Sequence, residues 1–189
     1  NRQRGHRNPS GLRSPQTRSR DHAAEHYLHG PGNRSASRPA VPRPELDQLS
    51  LRHLAVAPDQ TVWIGGQYEG PVTDQPPLVG SLRQGRAIRL IDRPEVTLGL
   101  KNYIGSVAVS RDGLQVATSA PRGNRILIWS TQTRTLSREI PVAAGCGAAP
   151  SAGGVILSGP TGEILSTPTG SEHLVAGHRW DNHISRLAG

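Results

Sequence analysis

The chain has 189 residues, a length that suits one domain of ordinary size. Apolar residues make up 34% and aromatic residues 3%, both low for a packed globular domain, whereas glycine (22) and proline (16) are frequent, as in turn-rich β folds and disordered chains. No apolar stretch approaches the roughly 18–20 residues that span a bilayer, so we expect no membrane-spanning helix. The single cysteine, Cys146, excludes an internal disulfide.

The positive charge is concentrated in the first quarter of the chain. Residues 1–45 hold nine arginines against three acidic residues, a net charge of +6, whereas residues 46–189 have a net charge of only +2. The first segment shows no apolar periodicity, and its composition predicts disorder because it cannot bury enough apolar surface. We therefore divide the chain into a disordered basic segment, 1–45, and a folded domain, 46–189.

Three interpretations of residues 1–45 remain open. The stretch Gly5–Ser37 has the character of a coding sequence translated in the wrong frame, because the neighbouring frame can encode a strand followed by a blade-type turn. A solvated tail is the second interpretation. The third is a basic arm that contacts phosphates, but nucleic-acid binding is disfavoured because the segment has no lysine and few aromatic side chains. The chain contains no methionine, so we expect a processed product or a fragment, and the lack of a visible signal peptide says little about export.

Three segments of the body share one pattern: a strand of small apolar residues, a tight turn with Asp or Gly, and a second apolar strand. They start at Ala55, Ala108 and Ala148, at offsets of 53 and 40 residues. A four-stranded propeller blade repeats every 40–45 residues, roughly, and a Gly/Pro-rich loop at Gly70–Pro77 explains the longer first offset. The spacing therefore predicts successive blades.

Each repeat continues with two further predicted strands. They are Pro77–Leu82 and Ala87–Ile91 in the first repeat, Ile126–Trp129 and Ser137–Val142 in the second, and Glu163–Ser166 and His173–Ala176 in the third. In the second repeat the strand that ends at Trp129 precedes a turn that resembles the WD-repeat signature, with Ser130 in place of Asp and Arg134 in place of Gly. These two departures weaken the hydrogen-bonded turn but leave the strand pattern intact.

The predicted fold class is all-β, a partial WD-like β-propeller of about three four-stranded blades behind a disordered N-terminal segment. Only Pro94–Leu100 predicts a turn of helix. A β-sandwich with accidental repeat similarity is the alternative. Three blades cannot close a ring, which needs about four to eight. We therefore expect a truncated propeller or assembly with another copy.

Several short motifs of the body together resemble one bacterial family. They are Leu51-Arg52-His53-Leu54-Ala55-Val56, Gln67-Tyr68-Glu69-Gly70, Asn102-Tyr103-Ile104-Gly105-Ser106, Cys146-Gly147 and Trp180-Asp181-Asn182-His183. The likeness is to the WD-like domain-of-unknown-function family 1513, and it covers roughly Pro44 to Arg186, the C-terminal part of that family's domain. The resemblance implies an exported, periplasmic, propeller-like protein with no established catalytic activity. It also implies a gene beside those of imelysin-type iron-uptake lipoproteins, which are therefore the expected partners.

The repeat alignment supports a site hypothesis that is independent of the family. His53, Ser106 and Cys146 occupy equivalent positions near the start of successive blades, and His183 follows at a similar offset. Because first strands line the central channel of a propeller, these side chains are expected to converge at one mouth. Imidazole and thiolate suit copper, zinc or haem iron, so His53, Cys146 and His183 are the candidate metal ligands. The alternative is a polar, water-filled channel in which the histidines are only hydrogen-bonded.

Six further residues complete the candidate ligand site with His53 and Ser106. They are Tyr68, Glu69, Asn102, Tyr103, Asp181 and Asn182. Each pair has a simpler interpretation. Glu69 is then a solvated loop carboxylate beside Tyr68, and Asn102 is a turn residue before a packed Tyr103. Asp181 and Asn182 are then part of the hydrogen-bonded corner of a closing strand. The three tryptophans are expected to pack between blades.

Catalytic motifs are missing from the sequence. It contains no G-x-S-x-G elbow, H-E-x-x-H, P-loop, C-x-x-C or Rossmann fingerprint, and nothing orients Cys146 and His53 as a nucleophile–base pair. We therefore predict no catalytic residue and a non-enzymatic binding protein of unknown ligand, without a resident cofactor. The family resemblance implies that this binding protein is periplasmic and associated with an iron-uptake system. The alternatives are a redox or metal-handling protein with iron, copper or haem at the channel, and a nucleic-acid binder that uses the basic arm.

Overall fold

The computed structural model describes residues 46–167, 170–181 and 183–185. The predictions for residues 1–45 concern a segment outside this range. Helix in the described part is short: α1 covers Pro94–Thr97, and 3₁₀ turns cover Leu98–Leu100 and Pro121–Gly123. Within that part, no helix has the length and apolar character to cross a membrane.

Each sequence repeat forms one four-stranded antiparallel sheet, or blade, in which strands consecutive in sequence are neighbours. The first blade contains β1 (Leu49–Val56), β2 (Val62–Tyr68), β3 (Val79–Leu82) and β4 (Arg89–Leu90). The middle blade contains β5 (Ser106–Val109), β6 (Gln115–Ala120), β7 (Arg125–Ser130) and β8 (Leu136–Pro141). The third blade contains β9 (Ala148–Pro150), β10 (Val155–Ser158), β11 (Glu163–Ser166) and β12 (Ser171–Leu174). The predicted all-β architecture of three four-stranded blades is confirmed, and the two-layer sandwich alternative is wrong.

The strand registers follow the sequence repeat to within one residue. Ala108 and Ala148 lie opposite the third residue of β6 and of β10, in the pairs Ala108–Ala117 and Ala148–Leu157. Ala55 lies opposite Trp63, the second residue of β2, so the first hairpin is one residue shorter. The hairpin between β5 and β6 turns at Gly113, whose φ of 72° is in the left-handed region that glycine enters without strain. The last strand begins at Ser171, two residues before its predicted start, because its hydrogen bonds to β11 begin there.

The blades stand side by side, with β1 beside β5 and β5 beside β9. One apolar core lies between the first and middle blades and a second lies between the middle and third blades. The first core includes Trp63, Leu78, Ile104, Leu127 and Trp129, and the second includes Ala117, Ile126, Ile128, Val155 and Leu157. Burying one such aliphatic or aromatic side chain contributes about 1.5–3 kcal/mol, so the two cores hold the blades together.

Glycine permits the close approach of the first two blades. A Cβ on Gly65, in β2, would lie 2.5 Å from Cγ2 of Ile104 and 2.7 Å from Cγ2 of Val107. The backbone of the same strand bonds across the interface, since the Ile104 N–H donates to the Gly66 carbonyl at 3.1 Å. Close packing and a backbone hydrogen bond therefore connect the first blade directly to the segment that precedes β5.

Candidate functional site

His53 and Ser106 occupy the same place in their blades. His53 lies opposite Gly65 in the β1–β2 pair, and Ser106 lies opposite Ser119 in the β5–β6 pair. The ladder of the third blade extends to Cys146, whose N–H donates to the Ser158 carbonyl at 3.1 Å. The three predicted positions therefore lie on β1, on β5 and just before β9.

His53, on β1, and His183, near the C-terminus, lie close together. Their ring centroids are 5.7 Å apart, with the ring planes tilted by 48°. Partial burial lowers the pKa of His53 below its ordinary value, and the charges of His183 and Arg52 lower it further. The neutral imidazole, which has a free lone pair, is therefore the favoured form at neutral pH.

The segment that carries His183 also reaches the third blade. A Cβ on Gly147, directly before β9, would lie 2.8 Å from Cγ1 of Ile184. The offset of His183 from Cys146 predicts a place on the first strand of a further blade. Instead, the described part of the chain shows no strand after β12, and His183 lies in an irregular segment beside β1.

Cys146 does not join the histidine pair in a metal site. Among the described residues, no group of three or more His, Cys, Asp or Glu side chains is placed to hold a metal ion. The three-residue set of His53, Cys146 and His183 is therefore not assembled. The physical reason is packing, because a Cβ on Gly105 would lie 2.7 Å from the Cys146 Sγ, which places the thiol against the chain that enters β5.

The surroundings of Cys146 also favour the protonated thiol. Burial raises its pKa, the negative charge of Asp181 adds to the rise, and a hydrogen bond with Ser119 opposes it. The Ser119 hydroxyl also donates to the Cys146 carbonyl at 2.6 Å. Ser106, opposite Ser119, is buried with 5% of its surface exposed. These buried residues form a polar contact between the middle and third blades.

Tyr68 and Glu69 are engaged with their own blade. The Tyr68 hydroxyl donates to Oδ2 of Asp74 at 2.8 Å, and this hydrogen bond raises the pKa of the phenol. Oε1 of Glu69 lies 3.1 Å from Nη2 of Arg52 in an exposed ion pair. Tyr68 thus ties down the Gly70–Pro77 loop, and Glu69 places a carboxylate beside the strand of His53.

Asn102 and Tyr103 hold the entry to the middle blade. Asn102 is buried at a φ of 57°, and its Nδ2 donates to the Pro71 carbonyl at 3.2 Å. The ring of Tyr103 lies under the Arg122 guanidinium, 4.2 Å from ring centroid to Cζ, a cation–π geometry. No sequence motif pointed to Arg122 or to Asp74, because their roles depend on contacts between separate loops.

The C-terminal candidates are only partly described. Asp181 acts on Cys146 through its charge, whereas Asn182 lies outside the described residues. Trp180 stacks on His178, with ring centroids 5.7 Å apart. Trp63 and Trp129 lie in the core between the first and middle blades, as predicted.

Solved structures with the same arrangement are propellers or propeller-like proteins. The WD40 repeats of RRP9 superpose with a TM-score of 0.53 at 20% identity, over 69% of this chain and 40% of that chain. A streptogramin B lyase gives a TM-score of 0.52 at 18% identity, over 71% of this chain and 43% of that one. A nidogen/laminin complex gives 0.52 at 13% identity, over 70% and 51%. At these identities the likeness shows the fold alone, and the matched region is about half or less of each of those chains.

The blade topology and these neighbours together define a WD-like, propeller-type repeat protein. No curated protein sequence matches the chain. A family model does match, over residues 34–187, and the chain therefore belongs to the family described as "Protein of unknown function (DUF1513)". The match starts at residue 34, before the Pro44 at which the sequence resemblance was expected to begin.

Proposed function

We propose that this chain is a non-enzymatic binding protein whose partner contacts the surface formed by His53, on β1, and His183. One observation carries the proposal: two histidines from opposite ends of the folded domain lie with ring centroids 5.7 Å apart. Around them, an exposed carboxylate on Glu69 and the guanidinium of Arg52 add polar groups. Such a surface suits recognition by hydrogen bonds and charge.

The family likeness supports both a cellular location and a partner for this binding. The location that it favours is the periplasm, and the partner is an imelysin-type iron-uptake protein. An alkaline phosphatase fusion to the full-length gene product tests the location, because the reporter is active only after export. Phosphatase activity in cells is the expected result, and an inactive fusion of normal abundance would contradict the periplasmic assignment.

Partner binding is tested with purified proteins. The whole chain is immobilised, and the imelysin-type protein of the same organism is passed over it. His53→Ala and His183→Ala are each expected to weaken binding about tenfold, which corresponds to about 1.4 kcal/mol. His173→Ala is the matched control, because His173 is exposed on β12, away from the pair. Equal losses in all three variants, or no saturable binding by the wild type, would refute the proposal.

A second candidate function is metal handling at the same two histidines. Two neighbouring imidazoles suit Cu²⁺ or Zn²⁺, and the lowered pKa of His53 favours the form of that residue that ligates. Titration calorimetry with Cu²⁺ and Zn²⁺ is expected to show one site, which either histidine substitution removes. Cys146→Ser is expected to retain the site, since the thiol is packed against the Gly105 segment.

A further inference from the structure

A cleft opens between the outer edges of the first and middle blades. It consists of two adjoining cavities of about 400 and 420 Å³. Arg89, at the start of β4, and Arg134, in the turn between β7 and β8, line both cavities. Arg86, in the turn between β3 and β4, lines the second. Guanidinium groups from two blades therefore line the cleft. The cleft is at the opposite edge of the sheets from β1, the strand that carries His53.

The charge in this cleft is not balanced locally. A fourth arginine of the lining, Arg83, is paired with Asp59. In the described part of the chain, the guanidiniums of Arg86, Arg89 and Arg134 form neither ion pairs nor side-chain hydrogen bonds. No Asp or Glu is among the residues that line either cavity. Three uncompensated cations around one recess create a positive potential that attracts anions.

Arg134 has a backbone conformation that residues other than glycine rarely adopt. Its φ is 58°, in the left-handed region that favours glycine. The WD-type turn it resembles has glycine there, so the arginine adds backbone strain and a charged group to the cleft. Residues held in such conformations occur at binding sites more often than elsewhere, which makes the outlier a reason to suspect function.

A buried hydroxyl adds a second kind of group. Ser81, in β3, is 1% exposed and lines the second cavity. Its Oγ has no hydrogen-bond partner among the described residues. A buried polar atom without a partner is unfavourable. A hydroxyl can donate to the oxygen of a phosphate or a carboxylate, so Ser81 places a neutral donor in the wall of the second cavity.

We infer that this cleft binds a small multivalent oxyanion, held by charge-assisted hydrogen bonds from Arg86, Arg89 and Arg134. Guanidinium groups bind phosphate and carboxylate oxygens in paired, planar geometry. The inference does not rest on the proposed function, because none of the groups of the cleft belongs to the histidine site.

The test uses the whole chain and two probes, pyrophosphate and citrate, in titration calorimetry at low salt. Saturable binding of one molecule is expected, and the tighter probe distinguishes phosphate from carboxylate chemistry. Arg89→Ala is expected to weaken binding at least tenfold, and added salt is expected to weaken it further. Arg134→Gly is expected to weaken binding by a similar factor while raising the melting temperature, because glycine relieves the strain at φ 58°.

Arg111→Ala serves as the matched control, since Arg111 is an exposed arginine in the β5–β6 turn that lines neither cavity. It is expected to bind both probes like the wild type. The inference is overturned if neither probe saturates the wild type, or if Arg134→Gly is more stable but binds unchanged. It is also overturned if all three variants lose affinity equally.

Discussion

At the scale of single residues, two aspartates repeat the same turn geometry in successive blades. Oδ1 of Asp59 accepts from the N–H of Thr61 at 3.0 Å, and Oδ1 of Asp112 accepts from the N–H of Leu114 at 3.0 Å. The backbone hydrogen bond of Thr61 lowers the pKa of Asp59, and the Ser110 hydroxyl bond lowers that of Asp112. The third blade has Ala152 in the corresponding turn, so these carboxylates stabilise the first two hairpins only.

Replacing Asp112 with alanine should therefore destabilise the fold in a pH-dependent way. The folded carboxyl has a pKa below its ordinary value of 3.8, so its contribution is present above that pH and is lost as the pH falls through the folded pKa. We expect Asp112→Ala to lower the free energy of unfolding by about 0.5–1 kcal/mol at neutral pH, because the turn is exposed. Urea unfolding at several pH values measures the difference, which should shrink as the pH falls below 3.8. Asp92→Ala, at an exposed loop position, is the control, and a loss that does not vary with pH would contradict the account.

At the scale of elements, the middle blade contains a hydrogen bond between neighbouring strands at its core. Nε1 of Trp129, in β7, donates to Oγ1 of Thr118, in β6, at 2.9 Å. Both residues are 2% exposed or less. The strand pattern of the sequence predicted that Trp129 ends a buried strand, but its partner became apparent only once the β6–β7 register was known.

Thr118→Val should leave the indole N–H of Trp129 without a partner. A buried donor that loses its acceptor costs about 1–3 kcal/mol, and we expect the free energy of unfolding to fall by that amount. Trp129→Phe and the double variant complete a thermodynamic cycle by urea denaturation. Because the hydrogen bond can be lost only once, the double variant should lose less than the two single losses combined. Additive losses would show that the bond contributes nothing.

At the scale of the whole molecule, the three blades differ in how they are covered. The middle blade has an apolar core on each face, whereas each outer blade shares one core with it. Leu54 and Val56 of β1 are 43% and 61% exposed. In repeat proteins the stability of a unit depends on its contacts with its neighbours. The middle blade should therefore be the most stable part of the described fold.

Amide hydrogen exchange tests this order directly. We expect the slowest exchange in β6 and β7 and faster exchange in the outer strands of the first and third blades. Ile104→Ala, at a fully buried position between the first and middle blades, should destabilise by about 2–5 kcal/mol and speed exchange mainly in the first blade. Ile126→Ala, in the second core, should do the same for the third blade. Uniform exchange across all strands would contradict a blade-by-blade account.

The order of the strands, the turns between them and the spacing of the blades could be derived from the sequence, because each depends on local patterns. Apolar strands with Asp or Gly turns recur from Ala55 to Ala148, and the same units appear as three blades. Which side chains meet at a site depends instead on how the blades pack. Packing turned the Cys146 thiol toward Gly105, brought His183 to His53, and placed Arg134 beside Arg89. These contacts join residues that are distant in the chain, and no local pattern encodes them.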